Sequence, residues 1–101
     1  MTMLDVRVSE NGEIVLSGRF DASEAVKAET FLAAVTESKT VDLSGLQYIS
    51  SAGLGVLLAT QKRLMSSGSS LKLRNLRGHV REVFHYSGFD KIFEIVIAPE
   101  S

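Results

Sequence analysis

Val41-Asp-Leu-Ser-Gly-Leu-Gln-Tyr-Ile-Ser-Ser-Ala-Gly-Leu-Gly-Val-Leu-Leu58 is the stretch whose reading decides the fold. Its first part, Val41-Asp42-Leu43, is short and apolar and predicts a strand buried in a sheet. Ser44-Gly45 predicts a bend, after which Leu46–Ile49 leads into a turn. From Ser51 the apolar spacing changes to that of a helix running to about Ser66. Leu54, Leu57, Leu58, Leu64 and Met65 line its inner face, with Gln61, Lys62 and Arg63 at the edge or outside. Ser50 and Ser51 thus stand at a helix N-terminus, where free N–H groups and the helix dipole favour negative charge. A phosphate on a serine at that place would be held by the fold itself.

Outward from this stretch, Leu4, Val6 and Val8 alternate with polar residues and predict a strand. Asn11-Gly12 predicts a hairpin. Ile14–Leu16 returns as the second strand and is expected to stop at Gly18. Asp21-Ala-Ser23-Glu24 opens a helix that Asp21 or Ser23 can cap. Ala28, Phe31, Leu32 and Val35 form its apolar stripe, and it is expected to end near Ser38. Beyond Gly68, Leu71 and Leu73, with Leu76 at the margin, predict a strand. Val80, Val83 and Phe84 mark a short helix, with Gly88 placed to cap its end. Ile92–Ile97 predicts the last strand, before the sole proline, Pro99.

The order is β-β-α-β-α-β-α-β, which implies an α/β fold. One mixed, mostly parallel sheet with helices packed on it is expected, as a single domain over residues 1–101. In such sheets function gathers at strand-to-helix turns. Two stand out, Gly18-Arg-Phe-Asp21 and Ile49-Ser50-Ser51.

Composition excludes several classes. The chain has 101 residues, no cysteine, 45% hydrophobic and 23% charged residues, and a net charge of −1. Disulfides, thiolate catalysis and zinc–cysteine sites are therefore ruled out. The charge balance carries no footprint for nucleic acid or a membrane surface. Lys72, Arg74, Arg77 and Arg81 thicken locally and read as a solvated face. The start lacks a signal-peptide pattern, and no segment approaches the roughly 18 apolar residues of a membrane span, so a cytoplasmic location is expected. His79 and His85 are not on one helical face and read as surface histidines. Gly53-x-Gly55 lacks the third glycine of a dinucleotide fingerprint. Ile49 stands where a hydrolase elbow around Ser51 needs glycine. No catalytic constellation, metal or cofactor is expected.

The stretch Val41–Leu58 resembles the STAS-domain family, and within it the stand-alone anti-sigma-factor antagonists. Gly18-Arg-Phe-Asp21 resembles the family's Gly-x-Leu/Phe-Asp turn. Ser87-Gly88-Phe89-Asp90-Lys91-Ile92-Phe93 resembles its Ser-Gly-Leu-x-x-Leu/Phe segment. The resemblance implies that Ser51 accepts phosphate from an anti-sigma-factor serine kinase, using Mg-ATP, and that a metal-dependent serine phosphatase removes it. It implies a partner-facing set of Asp21, Ser44, Ser50, Ser51, Gly53 and Leu54, and a bacterial partner-switching role in transcription. Two departures matter. Ser50 stands where many members have aspartate, which makes it the alternative acceptor. The final helix of many members has no counterpart before Ser101. Without the resemblance, Ser50, Ser51 and Asp21 read as helix caps, and Asp42 and Ser44 as turn formers. A non-phosphorylated structural subunit of a lipid-transporting ABC system is the alternative function.

Overall fold

The hairpin opens the chain as the alternation predicts. In the computed structural model, which describes residues 3–96, β1 (Asp5–Val8) runs antiparallel to β2 (Ile14–Phe20), with Val8 opposite Ile14. Then β3 (Lys39–Ile49), β4 (Leu71–Arg74) and β5 (Glu94–Val96) follow in parallel, in the spatial order β1-β2-β3-β4-β5. Helices α1 (Ala25–Leu32), α2 (Ser51–Met65) and α3 (Gly78–Ser87) connect the parallel strands. The expected order of elements and the mixed, mostly parallel sheet are both present.

Register explains the core. Ile14, Val41, Leu73 and Ile95 are partners across four strands, so their side chains share one face. The first three are completely buried. Their neighbours Val15, Asp42, Arg74 and Val96 form the next row on the other face, which is only half-buried. Helices complete the core with Ala28 and Leu32 from α1, Leu54, Val56, Leu57 and Leu64 from α2, and Val80 and Phe84 from α3. Each such apolar side chain contributes about 1.5–3 kcal/mol relative to exposure.

Several boundaries differ from expectation, each for a local reason. Ser44-Gly45 does not break the strand, because β3 is continuous and absorbs the irregularity as a bulge opposite Val15–Ser17. Gly45 is needed for space, since a Cβ there would lie 2.7 Å from the Ser17 Cβ. Likewise β2 does not stop at Gly18. That residue adopts φ +93°, and the strand shifts register and runs on to Phe20. A single 3-10 turn, Ala22–Glu24, precedes α1. The helix ends at Leu32, well before Ser38. Arg63 of α2 ends it, donating to the carbonyls of Leu32 (2.9 Å) and Val35 (2.8 Å). Val35 is buried beyond the helix end. Leu76 follows β4 without joining it. Gly88, in the left-handed region at φ +79°, caps α3 as expected. A 3-10 turn over Phe89–Lys91 then delays β5 to Glu94. Ile97 and Pro99 lie outside the described residues.

On α2 two side chains reverse their expected places. Met65 is exposed, while Gln61 is buried. The Gln61 amide accepts from the Leu71 backbone N–H (2.7 Å) and donates to the Ile92 carbonyl (3.1 Å). It ties α2 to the starts of β4 and β5. Gln61→Leu keeps the bulk but leaves the buried Leu71 N–H without an acceptor. A loss of about 1–3 kcal/mol is expected, measured by urea denaturation.

Candidate functional site

Because β2 and β3 are parallel, their C-terminal ends finish side by side, Phe20 against Ile49. The Ser50 N–H donates to the Phe20 carbonyl at 2.9 Å, which fastens the two following turns together. One turn carries Asp21, the other Ser50 and Ser51.

Ser50 is extended (φ −92°, ψ 172°) and caps α2. Its hydroxyl oxygen accepts from the Gly53 N–H at 3.2 Å, and its carbonyl accepts from Leu54 N–H at 2.9 Å. Ser51 is the first helical residue and is exposed. Among the described residues its hydroxyl has no hydrogen-bond partner. The Ser50 and Gly53 amides are thus engaged, while those of Ser51 and Ala52 point out from the helix start unpaired. No acidic side chain sits in the first turn of α2. The two serines therefore have different chemistry: Ser50 Oγ is committed to the cap, and Ser51 Oγ is free.

Gly53 allows this turn to lie against the strand ends. A Cβ there would meet the Phe20 carbonyl oxygen at 2.8 Å, Ile49 Cγ1 at 2.9 Å and Phe20 Cδ1 at 3.0 Å. Gly53 and Leu54 are accordingly buried against the core. Gly55 is exposed with open space around it.

Asp21 caps the turn before α1. It accepts from the Ser23 hydroxyl (2.6 Å) and the Ser23 N–H (3.1 Å). Ser23 is thus its donor and not a rival cap. The Ser23 hydroxyl, its N–H and the charge of Arg19 hold the Asp21 carboxyl below its usual value, outweighing burial. Asp21 is a carboxylate at neutral pH.

Ser44 does not join these residues. It lies six positions before Ser50 on β3, roughly 15–20 Å back at the usual strand rise. There Asp42 accepts from the Ser44 N–H (2.9 Å) and from Asn75 Nδ2 (3.0 Å), tying β3 to the loop after β4. Burial raises the Asp42 pKa, but hydrogen bonds from Asn75 and Ser44 and the charge of Arg74 together bring it below the usual value. Its stabilisation is therefore full above its unfolded pKa, about 3.9. It is lost as pH falls through the lower folded value. Asp42→Ala is expected to cost about 1–2 kcal/mol at pH 7, with the difference from the parent shrinking on acidification below the unfolded value. Urea melts across pH test this.

The structure adds a group that the sequence did not reveal. One residue before each strand end, and on the opposite face from Phe20 and Ile49, Arg19 lies 4.2 Å above the Tyr48 ring. On Tyr48 the exposed His79 ring stacks with centroids 5.1 Å apart and planes 11° from parallel. This column flanks the paired turns. Only the β2–β3 register and the start of α3 bring the three together, so no spacing signals it. Among the described residues no cluster suited to a metal ion occurs, and no helix is long and apolar enough to cross a membrane.

Comparison with known proteins agrees with this geometry. The family model described as "Mlab, STAS domain" matches residues 4–97. BtrV of Bordetella bronchiseptica, which carries the name of an anti-sigma factor antagonist, is 40% identical over 90 residues, 85% of this chain and 78% of its own. The anti-sigma-B factor antagonist of Bacillus subtilis is 30% identical over 96 residues, 91% of this chain and 88% of its own. The crystal structure of an anti-sigma factor antagonist from Mycobacterium paratuberculosis superposes with a TM-score of 0.77 at 26% identity, covering 94% of this chain and 85% of that one. The sheet order, the fastened turns and these relatives together make the chain a member of the STAS-domain family, among its anti-sigma-factor antagonists.

Proposed function

We propose that the chain is the antagonist of a bacterial partner-switching system, controlled at Ser51. The unphosphorylated form binds an anti-sigma-factor serine kinase and releases its sigma factor. The kinase transfers the terminal phosphoryl group of Mg-ATP to Ser51 Oγ. The bond to ADP breaks, the hydroxyl proton leaves, and the complex ends. A metal-dependent serine phosphatase restores the hydroxyl. The cycle takes place in the cytoplasm, and the chain acts in it as a binding protein, not as an enzyme.

One observation carries this reading. Ser51 Oγ is exposed and unbonded at the start of α2, while Ser50 Oγ is engaged by Gly53. Phosphorylation adds roughly −1.5 to −2 charges at neutral pH. The unpaired amides of Ser51 and Ala52 and the helix dipole accommodate that charge without unfolding. The effect therefore falls on the partner, whose surface meets a bulky anion beside the Asp21 carboxylate instead of a small neutral hydroxyl.

Phosphosite mapping by mass spectrometry on the protein isolated from its native cells, growing and stressed, tests this. Phosphate on Ser51 that changes with conditions is the expected result. Phosphate confined to Ser50 would reassign the acceptor. No phosphate in any condition would favour a constitutive structural subunit.

A further inference from the structure

The column of Arg19, Tyr48 and His79 lies within the footprint of anything that docks on Ser51. Arg19 and Tyr48 each stand one residue before a strand end, at the rim that carries the paired turns. Tyr48 comes three residues before Ser51, so their Cα atoms are at most about 11 Å apart. Arg19 is the partner of Tyr48 across the β2–β3 ladder, one strand spacing of about 4.8 Å further. A specific interface covers about 800 Å² on each protein, a patch of about 16 Å radius. A patch centred on Ser51 therefore takes in both residues.

On the reading of Ser51 as the switched docking position, we propose that Arg19 selects the partner by binding one of its carboxylates. Arg19 is exposed, and among the described residues it makes no ion pair and no hydrogen bond. Its guanidinium carbon is held 4.2 Å above the centre of the Tyr48 ring. Attraction to the ring face fixes the group in place but leaves its five N–H donors without a protein acceptor. The nearby Asp21 carboxyl feels the Arg19 charge, yet its Oδ1 is held by the Ser23 hydroxyl and N–H, and no ion pair joins the two. The planar fork of donors fits both oxygens of a carboxylate at once. A guanidinium already held in one place also loses less freedom on binding than a free one. The exposed His79 ring, stacked on Tyr48, adds flat surface beside the fork whatever its charge. Arginine and tyrosine are among the residues that most often carry the binding energy of an interface. The contact discriminates as well, because a partner with a lysine or arginine at that place meets like charge.

The test is phosphorylation of the purified chain and its variants by extracts of growing and stressed native cells, supplied with labelled Mg-ATP. The rate is followed first against the concentration of the chain and then against that of Mg-ATP. Arg19→Ala should raise the chain concentration needed for half the maximal rate by about tenfold or more, with the loss falling there and not on the maximal rate. Arg19→Lys keeps the charge without the fork and should recover only part of the loss. Tyr48→Leu, checked for folding by circular dichroism, should show a several-fold rise, which Tyr48→Phe, keeping the ring, should not. An Arg19→Ala curve that matches the parent, an Arg19→Lys curve that does so, or a rise in the Mg-ATP requirement instead would each overturn the proposal and leave the Ser51 switch standing. A parent chain that takes no label would remove the switch, and this proposal with it.

Discussion

Ser51→Asp is expected to weaken binding to the anti-sigma kinase by about a hundredfold or more, while Ser51→Ala binds as tightly as the parent and cannot be switched off. The two variants differ by one charge at an exposed position on the first turn of α2. A hundredfold corresponds to about 2.8 kcal/mol, within reach of one unpaired charge desolvated at an interface. The fold should not register the change. An acidic side chain at a helix start is stabilising by about 0.3–1 kcal/mol. Melting temperatures of Ser51→Asp and the parent should therefore nearly coincide. Titration calorimetry against the kinase, run beside thermal melts, separates the two effects. Equal affinities for the two variants would sink the switch, whereas a collapse of the melt would show that the loss came from unfolding.

The second large effect is on stability. Gly53→Val is expected to cost about 3 kcal/mol or more, a large share of the 5–15 kcal/mol by which domains are stable. The introduced Cβ would fall 2.8 Å from the Phe20 carbonyl oxygen, a backbone atom held in the β2–β3 pairing and bonded to Ser50 N–H. Neither neighbour can give way cheaply. Gly53→Ala should cost less, because the better helix propensity of alanine, worth about 1 kcal/mol, offsets part of the clash. Gly55→Ala is the internal control. With nothing within 4 Å of its Cβ position, it should gain up to about 1 kcal/mol. Urea denaturation of the three variants decides it. A Gly53→Val protein as stable as Gly55→Ala would show that the helix start does not press on the strands.

What local chemistry controls was legible in the sequence. Alternation, the Asn11-Gly12 turn, the Asp21 and Ser50 caps and the Gly88 stop all act over a few residues, and each is found where the pattern puts it. What depends on pairing between distant segments was not legible. The Ser44-Gly45 irregularity reads as a turn in isolation and becomes a bulge only because β2 lies alongside. Gln61 reads as a surface residue until β4 presents an unpaired N–H to it. The end of α1 is set by an arginine 31 positions away from Leu32. At the site, the roles of Ser50 and Ser51 follow from which hydroxyl faces Gly53. The column of Arg19, Tyr48 and His79 has no sequence signal because strand register alone assembles it.

Helix α2 is clamped along its length. Its start presses on Phe20 through Gly53, its middle holds β4 and the approach to β5 through Gln61, and its last turn holds α1 through Arg63. Such a helix has no low-energy way to slide or fray, so its inner amides should exchange with solvent only when the whole domain opens. In the proposed cycle the tempo of signalling would then belong to the visiting proteins. Phosphate at Ser51 would be written and erased as fast as kinase and phosphatase arrive and leave, with no slow internal rearrangement to wait for.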